Sequence, residues 1–125
     1  MKNTHYDRLG GEKSVRELVD RFYDLMDSDT DVSELRAIHA SDLTDARKKL
    51  FMFLSGWLGG PSLYIEEFGH PRLRQRHISF SIGETERDQW MFCINQAMTE
   101  MNIEKELKQT LYDAFYKTAD FMRNQ

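Results

Sequence analysis

An all-α fold is what this sequence predicts, on three observations. Apolar residues recur at helical spacing in four long stretches. No stretch alternates with period two beyond the short run 78–82. Gly10-Gly11, Gly59-Gly60-Pro61 and Gly69-His70-Pro71 punctuate the chain between periodic stretches. At 125 residues the chain predicts a single domain over 1–125, with a radius of gyration of roughly 14 Å.

The first dozen residues read as a lead-in closed by Gly10-Gly11. Val15, Leu18, Val19, Phe22, Tyr23 and Met26 then form one apolar stripe, which predicts a helix over Glu12–Ser28. Ser28 to Asp31 is turn-like. Ser41 or Asp42 is a suitable N-cap for a second helix, whose stripe is Leu43, Ala46, Leu50, Phe53, Leu54 and Trp57. Gly59-Gly60-Pro61 stops it, and a loop carrying Tyr64 and Phe68 follows. Pro71 is placed to start a short helix over 71–77, and 79–83 reads as loop. A third long helix starts near Glu84, with acidic residues in its first turn and Trp90, Ile94, Ala97, Met98 and Met101 on its inner face. The last starts near Glu104 and carries Leu107, Leu111, Phe115, Ala119 and Met122. The count is four long helices plus a short one.

Apolar residues make up 40% of the chain, enough for a core, and 30% is charged. The net charge of −4 argues against a nucleic-acid partner, because phosphate binding concentrates Lys and Arg. The lone Cys93 excludes an internal disulfide and fits a reducing, cytoplasmic setting. No apolar run is long enough for a membrane span, and no signal peptide is visible. Eight Phe, five Tyr, two Trp and seven Met are a rich stock of flat or polarizable side chains for a small acidic domain.

Chemistry is sparse. His5, His39, His70 and His77 show no i, i+4 pair, and no phosphate-binding loop, dinucleotide fingerprint or serine elbow appears. Single histidines among aromatic residues remain, which is what a haem pocket would leave, though lone histidines in helical proteins are mostly structural. The segment Gly69-His70-Pro71-Arg72-Leu73-Arg74-Gln75-Arg76-His77-Ile78-Ser79-Phe80-Ser81-Ile82 resembles the proximal-histidine segment of group II truncated haemoglobins, the 2-on-2 globins. Tyr6-Asp7 with Gly10-Gly11, Arg21-Phe22-Tyr23, Phe53-Leu54 through Gly59-Gly60-Pro61, and Glu86-Arg87-Asp88-Gln89-Trp90 resemble further family segments, in order and at similar spacing. The resemblance implies a truncated globin fold, a 2-on-2 α-helical sandwich around haem b. No Cys-x-x-Cys-His is present to attach the haem covalently.

The resemblance also assigns residues. His77 matches the proximal iron ligand. Tyr23 and Trp90 match the distal tyrosine and tryptophan, hydrogen-bond donors to a bound diatomic ligand. Ala46 and Leu50 match the pocket-lining positions of the distal helix, where Ala46 offers no hydrogen bond. His39 departs from the usual Tyr or Phe. It would hydrogen-bond Tyr23 or the ligand and make ligand binding or ferric coordination pH-sensitive, unless it is a surface loop residue. Arg76, Lys49 and Tyr64 resemble propionate contacts. Phe53, Trp57, Phe80 and Met98 are candidate haem-packing residues, although ordinary core packing selects the same types.

Implied partners are dioxygen, NO, CO or other small ligands and a reductase, with a monomer or weak dimer expected. The implied activity is reversible diatomic binding, with NO-detoxifying or peroxidase-like redox chemistry as further uses of the same pocket. Two rivals stay open: a six-coordinate electron-transfer or redox-sensing haem protein, and a haem-free helical interaction module.

Overall fold

In the computed structural model, residues 4–72 and 82–124 are described. Most of the short helix expected over 71–77 and of the loop over 79–83 lies outside them. The described residues form α1 (His5–Leu9), α2 (Glu12–Ser28), a 3₁₀ turn (Thr30–Val32), α3 (Ser33–Ala37), α4 (Thr44–Trp57), α5 (Leu63–Phe68), α6 (Glu84–Glu100) and α7 (Lys105–Phe121), with no strand among them.

The predicted α2 occupies the expected residues, and its whole stripe is buried. α4 begins later than Ser41 or Asp42. The Asp42 carboxylate instead accepts the Thr44 N–H at 2.9 Å, which holds its pKa below the usual range. Glu104 caps α7 by accepting the Glu106 and Leu107 N–H groups, each at 3.2 Å. Three short helices correct the sequence reading. The lead-in contains α1, capped by the Thr4 hydroxyl. α3 follows the turn after α2, and Tyr64 sits on α5 rather than in a loop. Five or six residues are too few to show a helical period or to hold a helix alone, so packing makes these turns.

The long helices form two antiparallel pairs. α2 and α4 meet where Arg16 lies over the Phe51 ring, 4.1 Å from its centroid, and Arg47 reaches Asp20 and Asp24. α6 and α7 meet where Arg87 donates to Asp120 at 2.8 Å and Trp90 lies 5.6 Å from Phe115. The Arg87 and Arg123 guanidiniums, Arg87 first, hold the Asp120 carboxyl below its usual pKa. α2 also packs on α6, which joins the pairs around one core. α6 additionally touches α3 and α7, so Met91 and Cys93 are buried along with the predicted Ile94, Ala97 and Met98, while Trp90 and Met101 are only half-buried. Burial pushes the Cys93 thiol up to about 11, as expected for a packing residue.

The double glycine at the end of α4 has a steric reason. Gly59 takes φ 101°, and a Cβ there would lie 2.9 Å from Thr4 Cβ. A Cβ at Gly60 would run into the Tyr6 ring, whose N–H donates to the Leu58 carbonyl at 2.9 Å. The α4–α5 corner is thus pressed onto α1. Gly60→Ala should destabilise the protein by about 1–3 kcal/mol, the usual cost of overpacking. Urea unfolding would measure it, and a midpoint equal to wild type would show that the corner can relax.

Candidate functional site

The α4 stripe divides into two classes. Phe51, Leu54 and Leu58 are buried in the core. Ala46, Leu50, Phe53 and Trp57 are only half-buried, although they were read as one inner face. An apolar strip of this kind, left partly uncovered beside a complete core, suits a large flat apolar group.

Aromatic rings connect this strip to Tyr23. From α2, Tyr23 meets Phe22 at 4.9 Å between centroids, and Phe22 meets Trp90 at 5.0 Å. Trp90 meets Phe115 at 5.6 Å, and Phe115 stacks on Trp57 at 4.8 Å. Trp57 then leads to Phe53 at 6.5 Å, Tyr64 at a further 6.3 Å and Phe68 at 4.9 Å. The residues predicted on α2, α4 and α6 are therefore brought together, with Phe115 of α7 as the central link. Phe115 was read only as core. Its ring contacts on two sides depend on how α4 and α6 cross α7, which no spacing along the chain reveals.

Tyr23 is 6% exposed. Its hydroxyl makes no hydrogen bond to any described residue, and neither does the Trp90 indole N–H. Neither polar atom is sealed from the surface, so the aromatic-walled site presents two uncommitted donors to an incoming group. Burial raises the Tyr23 phenol well above its usual pKa, outweighing the Arg47 guanidinium 5.8 Å from the ring centroid. Tyr23 is accordingly a neutral O–H donor at ordinary pH.

His39 lies beside Tyr23, with ring centroids 6.0 Å apart and edge-on. It is half-buried two residues past the end of α3, in the connection to α4, and its Nδ1 is 3.0 Å from the Leu35 carbonyl oxygen. No hydrogen bond joins the His39 and Tyr23 side chains.

Lys49 and Tyr64 both reach Phe68. The Lys49 ammonium lies 5.6 Å from that ring and pairs with Asp45 at 3.0 Å. The pair is exposed and costs little to exchange for another carboxylate. Met98 is fully buried in the main core. His77, Arg76 and Phe80 lie outside the described residues. Among the described residues no cluster of His, Cys, Asp and Glu could hold a metal ion, and no helix is long and apolar enough to cross a membrane. The apolar strip, the two free donors and the Lys49 cation beside Phe68 fit a haem: a flat macrocycle with acidic side arms and a ligand that accepts hydrogen bonds.

The profile of the family described as bacterial-like globin matches residues 4–124. The group 2 truncated hemoglobin YjbI of Bacillus subtilis (strain 168) is 40% identical over 123 residues, covering 98% of this chain and 90% of its own. Among solved structures, a group II 2-on-2 hemoglobin from Agrobacterium tumefaciens superposes with a TM-score of 0.96 at 40% identity, covering 99% of this chain and 96% of that one. A truncated oxygen-avid haemoglobin from Bacillus subtilis superposes with a TM-score of 0.90 at 39% identity, covering 98% and 100%.

Proposed function

The chain belongs to the bacterial-like globin family, as a group II truncated haemoglobin with the 2-on-2 fold and haem as its cofactor, and on that premise we propose that it is a single globin domain over 1–125 that binds one haem b through His77 and takes up dioxygen, NO and CO reversibly. When bound, haem supplies an iron with one open coordination position for a diatomic molecule. The observation that carries the reading is the uncommitted hydroxyl of the buried residue Tyr23, whose ring meets Phe22, itself in contact with Trp90. Tyr23 donates its O–H and Trp90 its indole N–H toward the ligand, which favours slow release of one that carries partial negative charge. Ala46 and Leu50 line the pocket without polar contact. Phe53 and Phe80 pack the macrocycle, Met98 packs the protein core instead, and Arg76, Lys49 and Tyr64 hold the propionates. The same donors would serve NO-detoxifying or peroxidase-like chemistry supported by a reductase, in a cytoplasmic monomer or weak dimer.

Absorption spectra of the purified protein in ferric, ferrous and carbonmonoxy forms test the reading. A five-coordinate ferrous form that shifts sharply with CO is expected. A low-spin ferric form indifferent to cyanide and azide would instead favour the six-coordinate protein. Absence of a Soret band on haem titration would favour the haem-free module.

A further inference from the structure

We propose that Gln89 is a positioning residue that sets which nitrogen of His39 faces the distal site, acting through Leu35. The role rests on the reading of His39 and Tyr23 as distal residues. Gln89 precedes Trp90 on α6. Its Oε1 accepts the Leu35 N–H at 2.9 Å, and its Nε2 donates to the Glu34 carboxylate at 2.7 Å. The second bond lowers the Glu34 pKa, so that carboxylate stays charged and keeps its hold on the amide.

These bonds fill a gap in α3. The first N–H groups of a helix have no partner within it. Val32, the N-cap of α3, supplies no side-chain acceptor, and Leu35 stands in the first turn. Gln89 therefore caps α3 from another helix. The Leu35 carbonyl receives His39 Nδ1 at 3.0 Å. A carbonyl oxygen only accepts, so Nδ1 carries the hydrogen, and Nε2 of the neutral ring carries the lone pair. The His39 lone pair is thereby at Nε2, in a ring whose centroid lies 6.0 Å from that of Tyr23. Arg36 holds the other side of His39, donating to the Ala40 and Ser41 carbonyls at 2.8 Å each. One turn of α6 thus sets two distal groups: Trp90 directly and His39 by way of Leu35.

The test uses haem-loaded protein and two readouts. The first is the ring ¹⁵N spectrum of His39 in the carbonmonoxy form, which reports the tautomer. The second is ligand release by stopped flow, together with the C–O stretch. Gln89→Leu should move the ¹⁵N pattern away from a single Nδ1–H tautomer and change release about three- to tenfold, the range of one lost hydrogen bond. In the His39→Phe background the same substitution should change release by less than about 1.5-fold, as expected when one residue acts only through the other. The exchange Glu34→Gln with Gln89→Glu keeps both hydrogen bonds with the roles reversed and should restore the wild-type pattern, including where Gln89→Leu folds poorly. An unchanged ¹⁵N pattern in Gln89→Leu, an equal effect on release in the His39→Phe background, or no recovery in the exchange would each overturn the proposal. If His39→Phe leaves release and the C–O stretch unaltered while the tautomer still follows Gln89, the positioning stands and the distal role of His39 falls.

Discussion

Tyr23→Phe is expected to speed release of bound dioxygen by about ten- to a hundredfold, with stability unchanged or slightly raised. A hydrogen bond to a partly charged acceptor contributes about 1.5–3 kcal/mol. Its loss appears mainly in the dissociation rate. The stability half of the expectation comes from the fold. The Tyr23 hydroxyl is bonded to no described residue, so removing it strands no protein partner. The ring contacts to Phe22 and His39 survive the change. Stopped-flow oxygen displacement and urea unfolding measure the two halves separately. Release at the wild-type rate would show that Tyr23 is a core residue and that distal polarity rests on Trp90 and His39.

His77→Gly should abolish the five-coordinate ferrous spectrum, and added imidazole should restore it. The position lies outside the described residues, so the expectation rests on the family segment from Gly69 to Ile82. Two other histidines stand elsewhere: His39 beside Tyr23, with ring centroids 6.0 Å apart, and the exposed His70, whose Nδ1 accepts the Arg72 N–H at 3.2 Å. His39→Gly and His70→Gly should therefore keep the spectrum. A second readout is thermal. A ligand that binds only the folded chain adds about 2.7 kcal/mol at a hundredfold excess over its Kd, and His77→Gly should forfeit most of the stabilisation that haem confers. A haem spectrum surviving His77→Gly without imidazole would overturn the assignment.

The long helices were legible because each buries a stripe that repeats at 3.6 residues, as with Val15 to Met26 on α2 and Leu107 to Ala119 on α7. The short helices were not. α1 exists because Thr4 caps it and Tyr6 packs against Gly60, and α5 because Tyr64 has Phe53 and Phe68 to meet. Those partners are distant in sequence or fall within a segment too brief to show a period. The site was legible in part. Tyr23 and Trp90 stand out once the motifs around them are read together, but Phe115 and Gln89 look like ordinary core and surface residues until the helices cross.

By itself, the sequence determined the helical class, the four long helices and the stock of aromatic side chains, since period and composition are local properties. Only the tertiary structure decided which half of the α4 stripe joins the core and which half is left partly uncovered. It also decided that His39 stands beside Tyr23 and is held through Leu35 from another helix. The physical reason is that a repeat along a helix shows which face is apolar, whereas what that face touches depends on how helices cross, and donor and acceptor pairing depends on backbone groups that carry no residue identity.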